Sequence, residues 1–422
     1  MQREEDLDFA GDRDATLKLI SWFDIDRVRA AKILVVGAGA IGNEVLKNLA
    51  LLGVGNIYIF DKDTIEMSNL SRSVLYRASD RGKSKALTAA KAVKTLNPAV
   101  NVYWHDGDIA SDLGDGLVRR MDVVIGCLDN IEARYLVNRL CFKVGTPWID
   151  AGIGSLNGQV RVFVPPEGPC YECSFSDAHY EQLSLRLSCN TIAAEHVKQG
   201  RIPTTPTIAS LVAAVQVQEC LKLLDPEQWK GRTFAGRQFE FNGAHAQVDV
   251  MGLPSRDDCP AHDLAIEPEF LVELDGIRAS NSIGDLLNEA MKLLGTNAHL
   301  YFDHEIALER TCANCGSVVP VFRPLHRIVA AELKCECGTV PQYESDISQT
   351  HVVGGRNVMA QLLQTRIGDL GIPKFGIVEA HGPDLAVRYL ELAGDSDACV
   401  ALHEGPVAWD RDAASLEPAI SI

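Results

Sequence analysis

The stretch Lys32 to Asp63, KILVVGAGAIGNEVLKNLALLGVGNIYIFDKD, constrains the fold more than any other part of this 422-residue chain. Ile33 to Val36 is a short, β-branched apolar run, suited to a strand buried on both faces of a parallel sheet. Gly37, Gly39 and Gly42 follow in G-x-G-x-x-G spacing, and Val45, Leu46, Leu49 and Leu52 then recur at helical intervals. A second apolar run, Ile57 to Phe60, ends on Asp61, nineteen residues past the last glycine. Strand, glycine turn, helix, strand and acid make a mononucleotide-binding βαβ unit. The glycines, with Ala40 in the turn, let a phosphate approach backbone N–H groups at a helix N-terminus, and Asp61 can accept from ribose hydroxyls.

The rest of the chain keeps alternating. Residues 14–30 are expected to form a helix followed by a short connection into the first strand, with another helix from about Lys83 to Leu96 closed by Asn97-Pro98 and a strand from Val100 to Trp104. Asp122 to Cys127 reads as a buried strand, Ile131 to Lys143 as a helix, Trp148 to Asp150 and Gln159 to Val164 as strands, and Ile208 to Leu224 as a long apolar helix. This pattern predicts an α/β fold with a Rossmann-like, doubly wound, mostly parallel sheet. Ligands of such sheets lie beyond the carboxyl ends of the strands, so Gly37–Gly42, Asp61 and Asp129 can face one pocket. Near residue 264 the texture changes. The expected division is 1–263, which includes a polar crossover segment at 165–207, and a smaller αβ unit at 264–422 with a helix from Ser282 to Leu294 and a strand from Phe375 to Val378.

Charge and cysteine usage narrow the function. The formal net charge of −17 argues against nucleic acid as a partner. The acidic start MQREEDLDFAGDRD lacks the apolar core of a secretory signal, and Ile208 to Val217 is too short to span a bilayer, so no membrane role is expected. Twelve cysteines in such a chain point to metal or catalytic thiols in a reducing, cytoplasmic compartment.

Asn69-Leu70-Ser71-Arg72, Gly82-Lys83-Ser84-Lys85 and Leu128-Asp129-Asn130 follow the glycine turn in that order. With these motifs, residues 10 to 263 resemble the ubiquitin-activating-enzyme-like superfamily, the ThiF/MoeB/HesA adenylyltransferases. The resemblance implies an enzyme that uses ATP and Mg²⁺ to adenylate the C-terminal glycine of a small ubiquitin-like or sulfur-carrier protein. It implies that Arg72 and Lys85 clamp the phosphates, Asn69 orients them, Asp129 with Asn130 beside it holds Mg²⁺, and Asp61 helped by Asp63 takes the ribose. Where the family has N-L-x-R-Q, Ser73 stands in place of Gln. Arg13, 24 residues before Gly37, matches an arginine that in the relatives reaches the phosphates of a partner subunit, which implies a homodimer.

Cys170-Tyr171-Glu172-Cys173 and Cys259-Pro260-Ala261-His262 are two ligand pairs that suit a tetrahedral structural Zn²⁺; relatives carry a cysteine where His262 stands here. Cys312-Ala313-Asn314-Cys315 and Cys335-Glu336-Cys337, with nineteen residues between them, suggest a second zinc, although Cys-x-Cys strains the usual knuckle. Cys189, in LSCNTIAAEH, matches the cysteine that activating enzymes of the ubiquitin class load as a thioester. Asn190 or Thr191 can cap a following helix, and Arg186, His196 and Lys198 add positive charge, both of which lower a thiol pKa. Cys127, Cys141 and Cys220 lie in apolar patterns and are expected in the core.

The expected function is therefore a bacterial-type activating enzyme that adenylates a ubiquitin-like protein, loads it on Cys189 and passes it to a conjugating enzyme. Its rivals are a sulfur-carrier adenylyltransferase without a thioester step and a non-catalytic, nucleotide-sensing zinc scaffold.

Overall fold

The computed structural model describes residues 8–187, 203–328, 333–339, 346–354 and 359–394. Two sheets organise it. The first has the order β3-β2-β1-β4-β5-β6-β7-β8. Its strands are β1 (Lys32–Val36), β2 (Asn56–Phe60), β3 (Asn101–His105), β4 (Val123–Gly126), β5 (Trp148–Ile153), β6 (Asn157–Phe163), β7 (Arg237–Asn242) and β8 (Gln247–Gly252). β1 to β5 pair in parallel, and β6, β7 and β8 extend the sheet antiparallel. The parallel strands are apolar runs because both faces are covered: Ile33, Leu34, Val35, Ile57, Ile59, Val123 and Ile125 are fully buried.

Helices cover the faces. The region 14–30 forms two helices instead of one, α1 (Ala15–Lys18) and α2 (Ile25–Ala30). Asp24 breaks the expected helix by capping α2, accepting from the N–H groups of Asp26 and Arg27, while Trp22 packs edge-on to Trp229. α3 (Ala40–Leu52) follows the glycine turn, α4 (Lys85–Leu96) starts on a Ser84 cap, and α5 (Ile109–Asp112) and α6 (Asp115–Arg119) lead into β4. α7 (Ile131–Val144) is capped by Asn130, whose side chain accepts from Ala133 N at 2.7 Å. α8 (Asp177–Leu187) precedes the segment that holds Cys189, and α9 (Pro206–Leu223) starts on Thr205 with Pro206 in its first turn. α9 is apolar around most of its girth because it is buried against α3, β5 and β6. Its Gln216 is sealed in the core, donating to the Gly126 and Ile149 carbonyls at 2.9 and 3.2 Å. No described helix is long and apolar enough to cross a membrane.

The second sheet has the order β11-β10-β13-β14-β9, with β12 also paired to β10. Its strands are β9 (Leu271–Arg278), β10 (His299–Thr311), β11 (Val318–Pro324), β12 (Ile347–Gly354), β13 (Ile377–His381) and β14 (Val387–Ala393). β10 serves three neighbours because it is long: β13 pairs with His299–Tyr301 and β11 with Ile306–Thr311 along one edge, while β12 runs along the other. α10 (Ile283–Leu294) lays Ile283, Leu286, Leu287 and Ala290 on this sheet, started by a reciprocal Ser282–Asp285 capping box.

The sheets meet along a seam. Phe375, just before β13, packs into the core of the first sheet, under the Arg120 guanidinium. Gly116 N donates to the Phe375 carbonyl at 2.8 Å, an approach that needs glycine: a Cβ there would come within 2.5 Å of the Glu391 carboxylate. Cys127, Cys141 and Cys220 are buried, as expected of core residues.

Candidate active site

The strand order reverses between β1 and β4, and that switch point is where an open α/β sheet leaves a crevice. Gly37 makes the turn out of β1 with φ +97° and lies against the chain leaving β4; a Cβ on it would sit 2.5 Å from the Cys127 carbonyl. Gly42 is as tightly placed, since its Cβ would sit 2.0 Å from the Gly37 carbonyl. Gly39 is the N-cap of α3 and brings no side chain to cover the helix N-terminus.

Several groups hold the turn from behind. Tyr76 Oη and Asn43 Nδ2 donate to the Ala38 carbonyl at 2.6 and 2.7 Å, and Asn43 Oδ1 accepts from Leu75 N at 2.9 Å. Asp61, at the end of β2, accepts from Ala38 N at 2.6 Å and from Asp63 N at 2.8 Å. Burial pushes the Asp61 carboxyl above its ordinary range, against the pull of the nearby Lys85 charge. Lys85 Nζ meets Asp63 Oδ2 at 2.7 Å, whereas Lys83 turns to Asp80. Of Lys83 and Lys85, only Lys85 points to the acids beyond β2.

On the other side of the crevice Asp129 is exposed, with Asn130 Nδ2 donating to its Oδ1 at 3.1 Å. Asn130 thus has two tasks, capping α7 and orienting Asp129. Asn69 Oδ1 accepts from Glu66 N at 2.9 Å and closes the turn Met67–Asn69, from which Arg72 extends, its Nη1 donating to the Ser68 carbonyl at 2.9 Å. Ser73, which stands where the family has Gln, is buried. Arg13 is exposed and donates to the Leu96 carbonyl at the end of α4. Cys189 and residues 190–198 lie outside the described residues.

Sequence reasoning missed the Arg134–Asp150 pair. Asp150 is fully buried at β5 and takes Arg134 Nε at 2.9 Å and Arg161 Nη2 at 2.6 Å. Arg134 Nη2 also donates to the carbonyls of Leu128 and Ala151, at 2.5 and 2.9 Å, and so fixes the backbone directly before Asp129. The only signal was an acid ending an otherwise apolar strand.

Cys170, Cys173, Cys259 and His262 converge, with ligand atoms all within 4.8 Å of one another. Sγ of Cys170 is 3.5 Å from that of Cys259 and 3.7 Å from that of Cys173, and Cys173 Sγ is 3.5 Å from His262 Nε2. A tetrahedron with Zn–S of about 2.3 Å has edges of about 3.8 Å between sulfurs, slightly less to nitrogen, so three thiols and an imidazole here fit zinc. The His262 ring is held by stacking on Phe142 of α7, 5.2 Å between centroids. The other predicted cluster, Cys312, Cys315, Cys335 and Cys337, converges on the second sheet.

The ThiF family matches residues 12–261. The sulfur carrier protein adenylyltransferase of Thermus thermophilus is 39% identical over 240 residues, covering 56% of this chain and 83% of that protein. SUMO-activating enzyme subunit 2 of Dictyostelium discoideum is 46% identical over 149 residues, but these cover 35% of this chain and the chain spans only 22% of that protein. A crystal structure of E. coli MccB with succinimide matches with a TM-score of 0.50 at 20% identity, over 61% of this chain and 75% of that one, a likeness of fold.

Proposed function

This chain belongs to the ThiF family, and from that premise we propose that it adenylates the C-terminal glycine of a small ubiquitin-like protein with ATP. The observation that carries the reading is the switch-point crevice. An uncapped helix N-terminus opens there between Asp61 with the Lys85–Asp63 pair on one side and Asp129 on the other. Backbone N–H groups of Gly39, Ala40 and the turn to Gly42 receive phosphate oxygens. Lys85 exchanges Asp63 for phosphate, Arg72 exchanges the Ser68 carbonyl for phosphate, and Asn69 keeps the Arg72 turn in place. Asp61 and Asp63 accept from the ribose. Asp129, steadied by Asn130 and by Arg134 behind it, would hold Mg²⁺ through hard oxygen ligands, and the ion would supply positive charge beside the leaving pyrophosphate. A carboxylate oxygen of the carrier attacks the α-phosphorus, the bond to the pyrophosphate oxygen breaks, and an acyl-adenylate forms.

In the second step the Cys189 thiolate attacks the acyl carbon, AMP departs, and the carrier is held as a thioester for a conjugating enzyme. The Cys189 sequence pattern and the likeness to a protein named as a SUMO-activating subunit support this step. Arg13, exposed beside the end of α4, would leave the Leu96 carbonyl to reach the phosphates of the partner subunit in a homodimer. Residues 1–263 make the adenylation unit and 264–422 a second unit. Cys170, Cys173, Cys259 and His262 would hold zinc, which would tie the turn before α8 to the chain after β8.

One observation favours the sulfur-carrier reading: the Thermus relative named for it aligns over most of its own length. Incubating the chain with candidate carriers and ATP separates the two. A thiol-labile adduct that disappears in Cys189→Ala supports the thioester step. ATP–pyrophosphate exchange with no adduct supports the sulfur-carrier reading, and no exchange in the wild type leaves only a nucleotide-sensing scaffold.

A further inference from the structure

The second cysteine cluster has a built geometry of its own. β10 runs into the turn Cys312–Gly316, where Cys312 N donates to the Ser317 carbonyl at 2.9 Å and Gly316 N to the Cys312 carbonyl at 2.8 Å. The turn Cys335–Gly338 repeats this arrangement, with Cys335 N to the Thr339 carbonyl at 2.9 Å and Gly338 N to the Cys335 carbonyl at 2.8 Å. Gly316 and Gly338 both take positive φ, +68° and +89°. The shorter Cys-x-Cys spacing is therefore accommodated by its following glycine, which closes the turn that the spacing alone leaves strained.

The two turns face each other through sulfur. Cys312 Sγ is 3.7 Å from Cys337 Sγ and Cys315 Sγ is 3.6 Å from Cys335 Sγ, with all four within 4.8 Å of one another. Those separations are too long for disulfides, which need about 2.05 Å, and match the tetrahedral edge of about 3.8 Å around a zinc–thiolate centre. Asn314 Nδ2 donates to Cys337 Sγ at 3.7 Å, and Thr339 Oγ1 lies 3.2 Å from the same sulfur, contacts that suit a thiolate ligand. In this lobe the apolar core among the described residues is small: Ala307, Ile328, Leu333 and Ile347 are buried, with Val321 and Leu325 partly buried against them. So small a core buries too little surface to hold two turns against their conformational entropy, a shortfall that a structural metal makes up.

We propose that Cys312, Cys315, Cys335 and Cys337 bind one structural zinc ion, additional to the one on Cys170, Cys173, Cys259 and His262, and that this second ion takes the place of a core for the lobe joining β10, β11 and the base of β12. Four soft sulfur donors in a tetrahedron select zinc over harder cations. The site is independent of the nucleotide crevice, so it stands whether or not the proposed adenylation does.

The experiment is metal counting on the purified full-length chain. The wild type is expected to carry two zinc ions per chain. The double variant Cys315→Ser/Cys337→Ser, which alters only the two exposed thiols, is expected to carry one and to alkylate rapidly at Cys312 and Cys335 under native conditions. Cobalt loading of the wild type gives a check that needs no variant: sulfur-to-cobalt charge-transfer intensity for seven thiolates is expected, against three if only the first site fills. Equal zinc content in wild type and variant, iron in place of zinc, or disulfides among the four cysteines in freshly purified protein would each overturn the proposal.

Discussion

The charges around the glycine turn and the charges along the seam between the sheets are satisfied in different ways. In the seam, Glu391 is 1% exposed and lies between Arg119 Nε, at 2.9 Å, and the Arg120 guanidinium, which also takes Glu273 at 2.9 Å. Lys143 Nζ meets Asp115 Oδ2 at 2.6 Å, and although burial lowers its pKa, Asp115 and Asp303 together hold it above the ordinary lysine value. Each of these charges is answered by a fixed opposite charge. Around the turn, Asp129 is exposed beside a neutral amide, Arg72 rests on one carbonyl, and Lys85 has a single, largely exposed carboxylate partner. Matched buried charges resist change, whereas loosely held ones can exchange partners when a polyanion arrives. The charges of the seam are fixed by buried partners, whereas those around the turn are loosely held.

Two variants test that contrast. Glu391→Ala leaves Arg119 and Arg120 without their buried partner and is expected to lower unfolding stability by about 3–5 kcal/mol, read by urea denaturation. Below its melting temperature the same variant should retain ATP–pyrophosphate exchange; loss of exchange in a folded variant would break the division of labour. Asp129→Ala is expected to do the reverse, lowering exchange about 10²–10³-fold while moving stability by about 0.5 kcal/mol or less.

The smallest effect concerns pH. Burial works against the charged form of His304, but Asp303 Oδ1 and the Leu370 carbonyl each lie 2.7 Å from one of its ring nitrogens, and together they raise its pKa. Both partners are acceptors, so both contacts are satisfied only by the imidazolium. The stabilisation is therefore complete below the unfolded value of about 6.5 and is lost as pH rises through the higher folded pKa. The urea midpoint should fall as pH rises above about 6.5, and His304→Gln should flatten that fall; an unchanged slope would show that His304 does not titrate across the folding transition.

Much of the fold was legible because the signals are local. Strands β1, β2 and β4 are apolar runs that only a two-sided cover explains, and the glycine spacing places its own turn. The first helical region was misread because Asp24 reads equally well as a helix residue and as a cap, and Trp22 decides the matter by packing on Trp229, about two hundred residues away. In the crevice the sequence named Asp61, Lys85 and Asp129, but not the groups that orient them. Tyr76, Asn43 and Arg134 look like ordinary residues of a turn and two helices until folding brings their donors to the Ala38 and Leu128 carbonyls.

From its own pattern the sequence determined the α/β class, the nucleotide-type turn and the pairs of cysteines, because apolar periodicity, glycine spacing and ligand spacing act over a few residues. Tertiary structure alone decided that Glu391 answers Arg119 and Arg120, that Gln216 seals the core under β4 and β5, and that β10 carries three neighbours. Those outcomes depend on which buried polar groups meet after the chain has closed, and a buried charge or amide is tolerated only where a distant partner arrives to satisfy it.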